Sequence, residues 1–201
     1  MSFDLILFDD SEEITKLGKE LGCAEYIVAK DFSSAKEVEV VKAKGFLTCK
    51  LVTKNLDKES RAYKGKADFV AALPKDVSFV AQAVNSKAID FLVQPFSKNE
   101  VIFDSAAARL CAEKNKPVFF LFSEFLNTRD KDRALLMKNT MLSSSFMIKR
   151  KTKFGVFSGA RNDNELRSPK DLSYFATLFG FSQEQASASL KFVEEFFGDE
   201  Q

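Results

Sequence analysis

Seven short and almost wholly apolar segments alternate with helix-forming segments along this chain, and no other feature restricts the possible folds as strongly. Strands that are apolar on both sides are typical of parallel sheets whose two faces are both covered by helices. The sequence therefore predicts an α/β fold of parallel strands with outer helices. The apolar runs fit a doubly wound open sheet and a closed barrel equally well. The predicted strands are 4–8, 26–29, 45–52, 67–73, 89–93, 118–122 and 154–157.

The segments between the strands carry helix start signals. Ser168, Pro169 and Asp171 stand at the N-cap, first and third positions of one helix. Ser182 with Gln185 forms a capping box before the next helix. Further helices are predicted after Asp10 and Asp104, at about 75–86 and at 130–149. The segment 31–44 is ambiguous and is assigned to loop and helix, and 54–66 is a charged connection. The even spacing of the elements and the lack of a long linker predict a single domain, residues 1–201.

The chain contains no histidine. Histidine is the usual partner of a catalytic serine or cysteine and the commonest metal ligand, so these enzyme classes are disfavoured. Its three cysteines, Cys23, Cys49 and Cys111, are far apart and form no C-x-x-C pair, which fits free thiols in a reducing cytosol. The sequence has neither an apolar stretch of membrane-spanning length nor the pattern of a signal peptide, and a cytoplasmic location is predicted.

Asp9 and Asp10 follow the first predicted strand, where two adjacent carboxylates fit Mg²⁺. Asp10 is also the expected N-cap of the next helix, and we favour that interpretation. The sequence contains neither a glycine-rich nucleotide loop nor a hydrolase nucleophile motif. We therefore predict no catalytic residue and no metal site in the protein.

Positive charge is unevenly distributed although the net charge is only +1. Residues 129–153 contain eight lysines and arginines against two aspartates, whereas 184–201 contain five acidic residues and one lysine. A local basic surplus of this kind is typical of a phosphate-binding face, and a solvated helix surface is the competing explanation. The 22 phenylalanines are interpreted as core residues, with base stacking as the alternative.

Basic residues on either side of the last predicted strand are the candidate phosphate contacts. In a barrel the two groups should lie toward opposite ends of that strand. Arg167, Ser168 and the free amides of the following helix start can together hold a phosphate. In the competing interpretation Arg167 pairs with Asp171 or Glu165 and holds the turn. The candidates are Lys149, Arg150, Lys151 and Lys153 before the strand and Arg161, Arg167 and Lys170 after it.

Residues 156–182 resemble the C-terminal signature of the thirty-kilodalton protein subunit of ribonuclease P, a family whose archaeal members are called protein component 3. The signature is a strand, Ser-[Ser/Gly]-Ala, a variable turn, Arg-[Gly/Ser]-Pro-x-Asp and a helix ending in Leu-Phe-Gly-[Leu/Phe]-Ser. Here it matches 158–160, 167–171 and 178–182. The segments 69–92 and 117–126 are similar to the family less closely, and the opening FDLIL resembles the family's start.

This resemblance implies a TIM-like barrel of the polymerase-and-histidinol-phosphatase type that has lost its metal ligands. It implies a protein that binds and supports the catalytic RNA of ribonuclease P while the 5′ leader is removed from precursor tRNA. The catalytic Mg²⁺ would then lie on the partner RNA. The implied partners are that RNA, protein component 2 and further ribonuclease P subunits, with precursor tRNA contacted indirectly and no membrane involved.

One departure from the family concerns the helix after the fourth strand, where members often carry arginines. This chain has Gln82 there and no arginine between 62 and 108. Some RNA contacts must therefore lie elsewhere or be fewer. Two rival functions remain at this point: a stand-alone metal-dependent barrel phosphoesterase, and a protein–protein scaffold with no role in RNA binding.

Overall fold

The computed structural model describes residues 2–8 and 11–198, and Asp9, Asp10 and the cap predicted for Asp10 lie outside this range. The strands in the described part are β1 Phe3–Ile6, β2 Glu25–Lys30, β3 Leu47–Val52, β4 Phe69–Ala72, β5 Phe91–Val93, β6 Val118–Leu121 and β7 Phe154–Phe157. The helices are α1 Ser11–Leu21, α2 Ala35–Ala43, α3 Leu56–Tyr63, α4 Val77–Asn85, α5 Ser105–Glu113, α6 Phe122–Asn127, α7 Asp130–Arg150, α8 Pro169–Phe175 and α9 Gln183–Gly198. Two 3₁₀ segments, Asp163–Glu165 and Ala176–Phe179, flank α8.

The seven strands form one sheet in which every strand pairs in parallel with its neighbour in sequence. The sheet curves until its last strand meets its first. The Leu7 amide donates to the Ala160 carbonyl at 2.7 Å, and the Gly159 amide donates to the Leu5 carbonyl at 2.9 Å. These bonds nearly close the sheet, so the predicted TIM-like barrel with outer helices is confirmed.

The apolar character of the strands follows from this architecture, because one face of each strand packs in the lumen and the other packs against the outer helices. Alternate residues point into the lumen, where Leu5, Ile27 and Phe91 belong to one fully buried cluster. Their neighbours point outward, where Ile6 and Val28 belong to a second cluster shared with the helices. With both faces buried, neither side of a strand can carry the polar alternation that an exposed face produces.

Helix α9 covers the end of the lumen where the strands begin. The Phe197 ring lies 5.9 Å from that of Phe3 and 4.8 Å from that of Phe69, and both partners open their strands. Gly155 in β7 permits this approach, because a Cβ there would lie 2.6 Å from Val193 Cγ2. Large aromatic side chains therefore fill this end of the barrel, as the interpretation of phenylalanine as core residue predicts.

The structure differs from the predicted element types at two places. The charged connection 54–66 contains α3, whereas the segment 31–44 consists of a loop and α2, as it was assigned. Phe122, predicted as the end of a strand, begins the short helix α6 instead. The apolar run 118–122 hides this boundary, because an apolar residue continues the pattern whether it ends a strand or faces the core from a helix.

Candidate RNA interface

The first basic group lies where α7 ends and β7 begins. Lys149, Arg150, Lys151 and Lys153 are all exposed, and within 2–8 and 11–198 none of them pairs with a carboxylate. Thr152 between them is buried, and its hydroxyl donates to the Ala108 carbonyl at 3.1 Å. The turn is thus anchored at its centre while its cations face solvent at the end of the barrel covered by α9.

Arg161 follows β7 at the opposite end of the barrel and is held by two glutamates. Its Nη2 lies 2.5 Å from Glu124 Oε1 of α6, and its backbone amide donates to Glu165 Oε2 at 3.0 Å. Glu165 is itself buried and also accepts from Asn127 at 3.0 Å. Part of the Arg161 charge is therefore neutralised within the protein.

Arg167 packs against α6 as well, but through different contacts. Its Nη1 donates to the carbonyls of Asn164 and Leu166 at 2.9 and 2.6 Å, and its guanidinium lies 5.3 Å from the Phe122 ring centroid. The pairing of Arg167 with Asp171 or Glu165, considered from the sequence, is wrong. Both carboxylates are engaged elsewhere, Asp171 with the Ser168 hydroxyl at 2.7 Å. Carbonyl bonds leave the cationic charge unpaired, so Arg167 is fixed in place without being neutralised.

The start of α8 follows the prediction in detail but offers little to a phosphate. The Ser168 hydroxyl accepts from the Asp171 amide at 3.1 Å, as an N-cap should, and Pro169 has no amide hydrogen to donate. The cap therefore occupies one of the amides that the predicted phosphate cradle requires, and proline removes another. Lys170 is exposed at this helix start and remains available.

Helix α6 was not predicted from the sequence, and it brings the second basic group together. Glu124 of α6 holds Arg161, and Phe122, two residues earlier, stacks under Arg167. Arg161, Arg167 and Lys170 thus share the end of the barrel where the strands finish, while the first group lies at the other end. The two basic groups therefore lie at opposite ends of β7.

Two aspartates in the segments that carry the family resemblance link neighbouring strands instead of forming a site. Asp4 of the FDLIL start accepts from the Ser158 amide at 2.7 Å and from its hydroxyl at 2.5 Å. Asp90, in the strand motif of residues 69–92, accepts from the Val70 amide at 2.8 Å. Burial raises the pKa of the Asp4 carboxyl to about 7, because the loss of hydration outweighs the hydrogen bonds from Ser158.

Side chains able to hold a metal ion do not cluster in the described residues. No three histidine, cysteine, aspartate or glutamate side chains there lie close enough to bind one together, and Asp9 and Asp10 fall outside that part of the chain. None of the described helices is both long and apolar enough to cross a membrane. Cys23, Cys49 and Cys111 are buried free thiols, and burial raises the pKa of Cys23 to about 12.

Comparison with known proteins adds a family and a fold. The family model for RNase P subunit p30 matches residues 13–195. Among curated proteins, ribonuclease P protein subunit drpp30 of Dictyostelium discoideum is 30% identical over 128 residues. That match covers 61% of this chain but only 32% of drpp30, so the chain spans about a third of the relative's length.

Solved structures support the barrel. A chain in a cryo-EM structure of archaeal ribonuclease P with mature tRNA superimposes with a TM-score of 0.85 at 18% identity, covering 98% of this chain and 90% of the other. A crystal structure of an uncharacterized protein gives 0.62 at 12% identity, covering 98% of this chain and 63% of that one. These identities establish the shared fold alone. Because the family model covers nearly the whole sequence, the chain belongs to the RNase P subunit p30 family.

Proposed function

We propose that this protein is a subunit of ribonuclease P that binds and supports the catalytic RNA during removal of the 5′ leader from precursor tRNA. The observation that carries the proposal is the family match over 13–195. The barrel and the unpaired cations at its two ends support it, because phosphate contacts require positive charge that the protein has not already neutralised.

The proposed RNA contacts fall into two unequal groups. Lys149, Arg150, Lys151 and Lys153 form an exposed group whose charge is unpaired within the described residues. In the second group Arg167 and Lys170 keep their charge, whereas Arg161 shares its charge with Glu124. Arg167 is the best oriented of the seven, since its guanidinium is fixed by two carbonyls and an aromatic ring before RNA arrives.

The chemistry of cleavage is assigned to the RNA. Histidine is absent from the sequence, and the described residues contain no cluster of metal ligands, so the catalytic Mg²⁺ is proposed to lie on the RNA. Buried free thiols and the lack of a spanning helix among the described residues fit assembly in the cytoplasm.

Protein component 2 is the proposed protein partner, with further ribonuclease P subunits in the full particle. Five of the seven large apolar side chains exposed in the described residues belong to α6, α7, α8 and the following 3₁₀ segment: Leu126, Met141, Leu142, Tyr174 and Leu178. These elements contact one another, and exposed apolar side chains on adjoining elements are typical of protein interfaces. Gel filtration of the co-expressed pair should give one complex, and two separate monomers would count against this partner.

Titration of ribonuclease P RNA with the purified protein tests RNA binding itself. Affinity for the RNA should fall steeply as the salt concentration rises. Each substitution that removes a phosphate contact should reduce the magnitude of the slope of log K against log salt by roughly 0.7–0.9. Salt-independent or undetectable binding would favour the scaffold function instead. Hydrolysis of a generic phosphoester by the protein alone would favour the phosphoesterase.

A further inference from the structure

A cleft of about 320 Å³ lies between α9 and the turn that joins α7 to β7. Its walls include Lys151, Lys153, Phe192, Gln185 and Glu195. The cleft is at the end of the barrel where strands begin, opposite the end that carries active sites in enzymes of this architecture. Its volume is at the lower limit of small-ligand sites, roughly 300–1,000 Å³, which suits one planar ring system.

We propose that this cleft binds a single unpaired nucleotide of the RNA, with the base against the Phe192 ring and the flanking phosphates on Lys151 and Lys153. The proposal rests on the RNA-binding function proposed above. It assigns to the first basic group an aromatic residue that the sequence interpretation treated as core.

The Phe192 ring is only partly buried, and its inner side is supported. The Phe119 ring of the lumen lies nearly parallel to it, with centroids 6.2 Å apart and 11° between the planes. Phe196 lies 5.6 Å away on the same helix. A ring held by such neighbours presents a fixed aromatic surface, and bases stack on such surfaces with little sequence preference.

Lys153 is already held over this ring. Its Nζ lies 5.3 Å from the Phe192 centroid, and within the described residues no carboxylate neutralises it. A base that enters the cleft takes the place of the ammonium group over the ring. The lysine is then released to the phosphate beside that base, so the aromatic and the ionic contact form together.

Glu195 on the same cleft favours a nucleotide over an acidic peptide. A carboxylate repels the aspartate and glutamate side chains that would otherwise suit the neighbouring lysines. A nucleotide carries both kinds of partner, because its phosphates are anionic while the edges of adenine, guanine and cytosine donate amino hydrogens. The charges of the cleft are therefore complementary to a nucleotide with its base toward Glu195.

Lys151 has a backbone conformation that glycine adopts more easily. It caps the C-terminus of α7 with φ 56° and ψ 38°, in the left-handed region. Glycine occupies several other positions with positive φ, such as Gly22, Gly45 and Gly180, and four further non-glycine residues of the described part share it: Asn55, Gln94, Asn115 and Asp130. A lysine in this position is unfavourable for folding, and its side chain is the feature that glycine cannot replace.

The two side chains can be tested with substitutions that separate folding from binding. Lys151→Gly should raise Tm by about 2–4 °C because it relieves the backbone, and should weaken binding of the ribonuclease P RNA while lowering the salt slope by roughly 0.7–0.9. Phe192→Leu should weaken binding about 5- to 100-fold at an unchanged salt slope, because stacking carries no charge. Lys191→Ala, on the adjacent exposed position of α9, is the matched control and should bind within about twofold of wild type.

If the wild type binds the RNA and either Phe192→Leu or Lys151→Gly binds it with the same affinity, the nucleotide site is overturned and the proposed function is left intact. Failure of the wild type itself to bind the RNA overturns both. Weakened binding to protein component 2 with unchanged RNA affinity would identify the cleft as a protein contact and would also overturn the proposal.

Discussion

At the scale of single residues, Asp4 shows most clearly how burial changes the pKa of a side chain. Its carboxyl joins β1 to Ser158 across the closure of the barrel, and burial raises its pKa from 3.8 to about 7. A carboxyl whose pKa is higher in the folded state binds its proton more tightly there. Its contribution to stability is therefore fully present below about pH 4 and is lost as pH rises to about 7.

Asp4→Asn should remove this pH dependence while retaining the closure, because the amide oxygen still accepts from the Ser158 amide and the amide nitrogen can donate to its hydroxyl. Between pH 4 and pH 7 the wild type should lose up to roughly 4 kcal/mol of unfolding free energy relative to the variant. Urea unfolding of both proteins across that range measures the difference. Parallel pH profiles for the two proteins would show that Asp4 does not titrate as described.

Arg167 is the residue at which structural and RNA-binding roles meet. Arg167→Ala removes two bonds to carbonyls and a contact with Phe122, which should lower stability by about 1–2 kcal/mol. If Arg167 also binds a phosphate, RNA affinity should fall further than for Lys170→Ala, whose side chain is exposed. Thermal melting and RNA titration of the two variants compare these effects. Arg167→Ala with unchanged Tm, affinity and salt slope would defeat both roles.

At the scale of elements, caps were predictable because their signals are local. Asp104 accepts from the Ala107 amide at 2.8 Å, and the Ser182–Gln185 pair forms both bonds of a capping box. Helix α6 was not predictable, because it lacks a side-chain cap and its first residue, Phe122, continues the apolar run of β6. The candidate site shows the same limit. Its basic residues were identified from the sequence, whereas the contacts that α6 supplies to Arg161 and Arg167 were not.

Helix α9 was predicted from the capping box of Ser182 and Gln185, but its place in the barrel was not. Phe197 is 1% exposed and contacts the rings of Phe3, Phe69 and Phe91. Phe197→Ala should therefore destabilise the fold by about 3–5 kcal/mol. Leu178→Ala, at a site 53% exposed, should change stability by less than about 0.5 kcal/mol. Chemical denaturation compares them, and equal losses would contradict the assignment of α9 as the cover of the lumen.

At the scale of the whole molecule, the residue pattern predicted the parallel strands but could not distinguish an open sheet from a barrel. Both architectures bury both faces of their strands, so their apolar runs look alike. The distinction depends on contacts such as that between Asp4 and Ser158, which are 154 residues apart in the sequence. Only the resemblance to a known family predicted the barrel before the structure.

The division of labour between protein and RNA is the central claim, and reconstituted cleavage of precursor tRNA tests it most directly. The assay measures release of the 5′ leader with ribonuclease P RNA, Mg²⁺ and the other subunits, with and without this chain, and with this chain alone. The chain alone should release no leader, and its addition to the incomplete particle should raise the cleavage rate. Equal rates with and without it, or metal-dependent cleavage by the isolated chain that Asp9→Asn or Asp10→Asn abolishes, would contradict the account.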